Sequence, residues 1–141
     1  AVSEGTFDLI IANFAASDMV AHTGNFDAEV QAVTAIDQEL AKILAACQAQ
    51  GATLVITADH GNAERMIEPL TGRPQTSHDS DLVPLYIVAK GFERSKTSEE
   101  IAQTEHEAIG MLAYVAPTVL ELLGLPKSPH MTGQSLARQV E

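Results

Sequence analysis

Two adjacent side chains, Asp59 and His60, have the chemistry of metal ligands. They belong to the block Thr57–Asn62, which directly follows the apolar run Leu54–Ile56. A carboxylate oxygen beside an imidazole nitrogen suits Mn²⁺, Zn²⁺ or Fe²⁺ better than Ca²⁺. In open α/β folds, ligands bind outside the carboxyl ends of the strands. The pair therefore predicts metal binding, although a capped turn carrying a surface histidine would give the same pattern.

A second carboxylate and imidazole, Asp18 and His22, follow the apolar run Leu9–Ala12 in the same layout. Their i, i+4 spacing puts both side chains on one side of a helical turn. A third histidine, His78, lies in the polar segment Thr76–Asp79, before another apolar run. Each histidine alone is typical of a solvated loop. Three of them beside acidic or hydroxyl residues in one short chain favour a shared metal centre.

Two metal ions about 4 Å apart can hold a phosphoryl group from both sides and offset its charge. Asp18, His22 and His78 offer a complete three-ligand set for one ion, and Asp59 and His60 offer part of a second set. Adjacent side chains on extended backbone diverge, so Asp59 and His60 can instead face different metals. No serine or threonine lies in a recognisable activating context, so no nucleophile is predicted in this chain.

The hydrophobic pattern predicts an α/β fold with a mainly parallel sheet flanked by helices. Predicted strands cover Phe7–Ala12, Ala52–Thr57 and Val83–Ala89, and helices cover Asp27–Gln50 and the segment from Pro117 to Gly124. A strand–helix–strand order implies parallel strands and a right-handed crossover. The first helix is expected to be capped by Asn25 or Asp27 and to end at Gly51. The roughly 20 residues between the second and third strands form a loop of a length that is usually functional.

Composition restricts the class of protein. The chain has 141 residues, 45% of them hydrophobic, which is enough for one globular domain. The net charge of −11 argues against nucleic acid or an anionic membrane as the main partner. No run approaches the ~20 apolar residues that span a bilayer, and no signal peptide is evident. The single Cys47 excludes an internal disulfide and is compatible with a reducing cytoplasm.

Five blocks, in order along most of the chain, resemble those of cofactor-independent phosphoglycerate mutase. They are Asn13–Gly24, Thr57–Glu64, Thr76–His78, Ala116–Thr118 and Met131–Gly133. The Asp-His-Gly block alone indicates only the wider alkaline phosphatase superfamily, whereas the first block and the tail are typical of the mutase. The fold that this resemblance implies is part of an alkaline-phosphatase-like domain.

The resemblance also implies roles for the five candidate ligands. Asp18, His22 and His78 match the ligands of one Mn²⁺, and Asp59 and His60 match two ligands of the other. In the family, the remaining ligands and the nucleophilic serine come from an N-terminal segment, and an inserted domain holds the glycerate. Neither is present here, so the missing segment and the inserted domain are the partners that the resemblance implies.

Residues 1–141 are accordingly expected to be the C-terminal portion of a metal-binding, phosphatase-like domain. The start at Ala1 instead of methionine fits a piece of a longer protein. The whole enzyme would interconvert 3-phosphoglycerate and 2-phosphoglycerate through a phosphoserine, in the cytoplasm, whereas the isolated chain would be inactive. The alternatives are another phosphohydrolase or a phosphopentomutase of the same superfamily, or a non-catalytic metal-binding domain.

Overall fold

The computed structural model of the protein describes residues 1–92, 94–104 and 106–140. The helices and strands are α1 (Ala16–Ala21), α2 (Phe26–Gln50), β1 (Leu54–Thr57), β2 (Leu85–Val88), α3 (Ser98–Thr104) and α4 (Val115–Leu122). The chain divides into two compact units. The first contains Ala1–Gln50 and His60–Val83, and the second contains Gly51–Asp59 and Pro84–Glu141.

Helix α2 confirms the helix predicted between residues 27 and 50. It is capped by Asn25, whose Oδ1 accepts a hydrogen bond of 3.1 Å from the Ala28 N–H. That bond satisfies one of the backbone donors left free at a helix N-terminus. The helix ends before Gly51, whose φ of 65° is a left-handed conformation that glycine adopts without steric cost. No helix in the described ranges, α2 included, is both long and apolar enough to cross a membrane.

In the first unit, α1 packs against α2, and the core of this unit is small. Ala21 at the end of α1, Cys47 near the end of α2, and Met66 are its buried apolar side chains among the described residues. The burial of Cys47 agrees with the helical spacing that places it on the apolar stripe of α2. The short helix α1 is thereby held with one side against α2.

The segment between residues 61 and 81 is an ordered arm of the first unit. Its tip is a hairpin, in which the Gln75 N–H donates to the Met66 carbonyl at 2.8 Å. Its base is closed by an antiparallel bridge, in which the Asp79 N–H donates to the Gly61 carbonyl at 3.0 Å. These backbone bonds bring the two ends of the arm together. Residues next to Gly61 therefore lie close to residues next to Asp79.

The sheet of the second unit is a single pair of strands. β1 and β2 pair in antiparallel register, with Leu54 opposite Val88 and Thr57 opposite Leu85. The prediction of a mainly parallel sheet is therefore wrong for the described residues. Both strands were located correctly from their apolar composition. The parallel direction was inferred from a strand–helix–strand order that begins at Phe7–Ala12, and that segment forms no strand here.

The predicted strand Phe7–Ala12 is not a strand in this structure. The segment has no strand partner among the described residues, and Ile11 is 86% exposed. A β-strand exists only where a neighbouring strand satisfies its backbone N–H and C=O groups. The β-branched, apolar composition gives this segment strand propensity, and propensity alone supplies no partner.

Helix α4 confirms the helix predicted from Pro117, which lies in its first turn. Thr118, one residue further, is fully buried in the second unit. Its hydroxyl donates to the Tyr114 carbonyl at 2.7 Å and accepts from the Leu136 N–H at 2.9 Å. This one side chain therefore fastens the C-terminal segment to α4.

The Thr118→Val variant should be destabilised by about 1–3 kcal/mol, because it keeps the side-chain shape but leaves the buried Leu136 N–H without an acceptor. Denaturant unfolding measures this difference. The matched control is Thr34→Val on α2, an exposed helix position where the hydroxyl makes the same bond to the carbonyl four residues earlier, Val30. That change should stay within about 0.5 kcal/mol, because water replaces the lost group. Equal effects at the two sites would contradict the role given to Thr118.

Candidate metal centre

Three of the predicted ligands converge in the first unit. Asp18 Oδ1 lies 3.5 Å from His22 Nε2 and 3.3 Å from His78 Nε2. The two Nε2 atoms are 3.1 Å from each other. All three donor atoms thus surround one point, although Asp18 and His78 are far apart in sequence.

Local geometry aims His22 toward this point. His22 immediately follows α1, so it lies one helical turn beyond Asp18 on the same side. Its Nδ1 lies 2.7 Å from the Thr76 carbonyl oxygen, which can only accept a hydrogen bond. Nδ1 therefore carries the proton, and the lone pair of the neutral ring is on Nε2, the atom that faces Asp18. This is the arrangement in which an imidazole binds a metal ion.

His60 joins the same cluster. Its ring stacks on that of His78 with centroids 3.6 Å apart and planes inclined by 20°. One donor atom from each of Asp18, His60 and His78 lies within 4.8 Å of the other two. The bridge between Gly61 and Asp79 explains this contact, because each histidine is the residue next to a bridged position.

The Asp18 carboxylate is held by a neighbour that the sequence analysis did not single out. Asn62 Nδ2 donates a hydrogen bond of 2.9 Å to Asp18 Oδ1. This bond is the main cause of a lowered pKa at Asp18, and the nearby His22, His78 and His60 lower the pKa further, against the opposing effect of burial. The hydrogen bond and the nearby rings therefore favour the ionised carboxylate, which is the form that binds metal.

Asp59, the fifth predicted ligand, belongs to the second unit. It lies in the bend two residues after β1, and it is exposed. Its place after a strand agrees with the expected layout of strand, then ligand. Its role as a ligand remains a prediction from the sequence.

A further group of carboxylates lies on the arm of the first unit. Glu64, Asp79 and Asp81 each have an oxygen within 4.8 Å of the others. Arg65 pairs with Asp81 at 2.6 Å, which offsets part of the negative charge. The sequence analysis did not identify this group, since no spacing rule connects Glu64 to residues beyond the hairpin.

The histidine cluster, which consists of Asp18, His22, His60 and His78, has donor chemistry that suits a divalent transition metal. One carboxylate oxygen and up to three imidazole nitrogens form a mixed oxygen and nitrogen donor set, which Mn²⁺, Co²⁺ and Zn²⁺ accept and which Ca²⁺ does not favour. The rings are partly exposed, with 39% of the His22 side chain and 48% of the His78 side chain accessible. A bound ion would therefore keep an open side toward solvent, as catalytic metal sites do.

The chain belongs to the metalloenzyme superfamily, whose family model matches residues 1–127. It is 45% identical over 130 residues to the 2,3-bisphosphoglycerate-independent phosphoglycerate mutase of Ruegeria pomeroyi, covering 92% of this chain and 24% of that protein. It is 46% identical over 136 residues to the Herpetosiphon aurantiacus enzyme of the same name, covering 96% of this chain and 24% of that protein.

A solved structure of a phosphoglycerate mutase is also similar to this chain. A crystal structure of Leishmania mexicana phosphoglycerate mutase at low cobalt concentration is similar with a TM-score of 0.73 and 28% identity. That similarity covers 94% of this chain and 25% of the Leishmania chain. The alkaline-phosphatase-like fold is thereby confirmed, and the chain spans about a quarter of the length of the relatives it matches.

Proposed function

We propose that this chain is the metal-binding C-terminal portion of a phosphoglycerate mutase that does not require 2,3-bisphosphoglycerate. The observation that carries the proposal is the convergence of Asp18, His22 and His78, whose donor atoms lie within 3.5 Å of one another. Similarity to enzymes of that name over nearly the whole chain supports the choice of reaction.

In this proposal, Asp18, His22 and His78 bind one divalent ion. The Thr76 carbonyl fixes the His22 tautomer, and Asn62 orients the Asp18 carboxylate. When bound, the ion supplies positive charge that offsets the negative oxygens of a phosphoryl group. The chain itself has a net charge of −11, so an anionic substrate gains little attraction from the protein alone.

Asp59 and His60 are proposed as two ligands of a second divalent ion, which would lie beside the first because the His60 ring stacks on that of His78. Support comes from their adjacency after β1 and from the resemblance of their sequence block to the mutase family. We assign Mn²⁺ to both positions, because its ligand preferences fit carboxylate and imidazole donors. The presence of cobalt in the Leishmania mexicana work agrees with a site that accepts neighbouring first-row metals.

The substrate in this proposal is 3-phosphoglycerate, with 2-phosphoglycerate as the product, as in glycolysis, and the proposed location is the cytoplasm. The nucleophilic serine, the remaining ligands of the second ion and the groups that hold the glycerate would come from an N-terminal segment and an inserted domain outside these 141 residues. The chain alone would then bind metal but form no phosphoserine.

A hybrid enzyme tests the proposal. The 141-residue chain would replace the matching quarter of the Ruegeria pomeroyi mutase, and conversion of 3-phosphoglycerate to 2-phosphoglycerate would be measured with added Mn²⁺. We expect the hybrid to convert substrate and the isolated chain to be inactive. In the hybrid, Asp59→Ala should lower turnover by at least about 100-fold, because the second ion loses a ligand. A folded hybrid with no activity, or an Asp59→Ala hybrid with full activity, would contradict the proposal.

A further inference from the structure

Asn62 is an unusually buried polar side chain for a residue in an arm of the molecule. Only 5% of it is exposed, and its amide nitrogen donates to Asp18 Oδ1 at 2.9 Å. Its backbone N–H donates to Glu64 Oε2 at 2.9 Å, a second hydrogen bond that fixes this residue. The buried Asn62 amide therefore holds the Asp18 carboxylate in one orientation.

The oxygen that Asn62 contacts is the same oxygen that faces the imidazoles. Asp18 Oδ1 accepts the amide hydrogen bond and also lies 3.3 Å from His78 Nε2 and 3.5 Å from His22 Nε2. A carboxylate oxygen has two lone pairs. One is therefore used by Asn62, and the other is available for an ion among the histidines.

We propose that Asn62 is a positioning residue that orients the Asp18 carboxylate for a divalent metal ion. The inference rests on the proposed function, because it requires that the histidine cluster binds such an ion. Without the amide, the carboxylate can rotate about its side-chain bonds and its metal-facing oxygen is no longer fixed. Partners of this kind typically change metal affinity about 10- to 100-fold when they are removed.

A second hydrogen bond next to Asp18 provides a matched control. Ser17, the residue before Asp18 on α1, donates from its hydroxyl to Glu29 Oε1 on α2. Glu29 is only 3% exposed, so this bond is also removed from solvent. It holds α1 against α2 without touching the Asp18 carboxylate. A purely structural contribution should therefore appear in Ser17→Ala as well as in Asn62→Ala.

The experiment is a titration of the metal-free 141-residue chain with Co²⁺ alone, followed by visible absorption and by calorimetry. Asn62→Ala is expected to raise the Kd by about 10- to 100-fold and to change the absorption bands, since the coordination changes. Ser17→Ala should lower the melting temperature of the metal-free protein but leave the Kd for Co²⁺ within about twofold of the wild-type value. Asn62→Leu keeps the number and branching of the side-chain heavy atoms, and it replaces Asn62→Ala if the alanine variant does not fold.

The outcomes are distinct. Tight Co²⁺ binding by the wild-type chain, with weak binding in the Asn62 variants only, supports the inference. Tight binding by the wild type and equally tight binding by a folded Asn62 variant overturns the inference and leaves the proposed function intact. Equal weakening by Ser17→Ala and Asn62→Ala would assign Asn62 a general structural role and overturn the inference too. No binding by the wild type overturns the metal site itself, and the inference with it.

Discussion

Replacing Asp18 by alanine is expected to weaken the binding of Mn²⁺ or Co²⁺ to this chain by at least about 100-fold. The loss corresponds to about 2.7 kcal/mol or more of binding free energy. Asp18 is the residue in the cluster that contributes a negative charge, and its Oδ1 lies within 3.5 Å of both His22 Nε2 and His78 Nε2. Neighbours that only support a ligand cost 10- to 100-fold when removed, so loss of the ligand itself should cost more. Isothermal titration with each ion measures the effect.

Folding should be affected moderately in this variant, without loss of the fold. The Asp18 side chain is 37% exposed and buries little apolar surface, but its loss leaves the buried Asn62 amide without an acceptor. The metal-free protein should therefore lose about 1–3 kcal/mol of unfolding free energy. The control is Asp37→Ala on α2, which removes an exposed acidic residue of the same unit. That variant should bind metal within about twofold of the wild type, because it changes the net charge by the same amount but removes none of the clustered donor atoms. Similar losses from both variants would mean that overall negative charge, and not a defined site, attracts the ion.

The part of the site that sequence could predict is the part fixed by local spacing. Asp18 and His22 are four residues apart, so any helical turn at α1 brings them together. His78 is different, because its position depends on the backbone bridge between Gly61 and Asp79, which closes a long arm. No periodicity in the sequence encodes that bridge. The prediction that His78 lies near Asp18 came from residue chemistry and family resemblance, and not from any rule of folding.

The role of Asn62 was not predicted, although the residue lies in the same block as His60. An asparagine after a glycine is typical of a turn, so the local sequence gives no sign of a remote partner. Its actual partner, Asp18, is remote in sequence and becomes a neighbour only when the arm folds against α1. A chemical argument could have identified Asn62. The carboxylate of a predicted ligand needs a hydrogen-bond donor, and Asn62 lies two residues after His60, which belongs to the same cluster.

The fold was predicted where a segment determines its own structure. The bounds of α2 follow from its apolar stripe and from its N-terminal cap at Asn25. The sheet was predicted less well, because strands depend on partners. β1 and β2 were located but not their antiparallel direction, and the segment between residues 7 and 12 has the composition of a strand without a partner among the described residues.

The Met131–Gly133 block, one of the five that carried the family resemblance, has a packing reason of its own. Gly133 is buried in the second unit, and its carbonyl accepts a hydrogen bond of 2.8 Å from Lys127 Nζ. A Cβ added to Gly133 would lie 2.1 Å from the Ala113 carbonyl oxygen and 2.7 Å from its carbon. Both atoms belong to backbone, which cannot turn aside as a flexible side chain can. Glycine is therefore required where the tail crosses the residues that precede α4.

The Gly133→Ala variant should accordingly lose about 3 kcal/mol or more of unfolding free energy, at the upper end of what overpacking costs. Gly124→Ala separates this clash from the general effect of replacing a glycine. Gly124 follows α4 with a φ of 70°, and an added Cβ meets no atom within 4 Å. Its replacement should cost about 1 kcal/mol, from backbone strain alone. Denaturant unfolding of the two variants distinguishes the causes, because equal losses would mean that the tail does not approach Ala113 as closely as the structure has it.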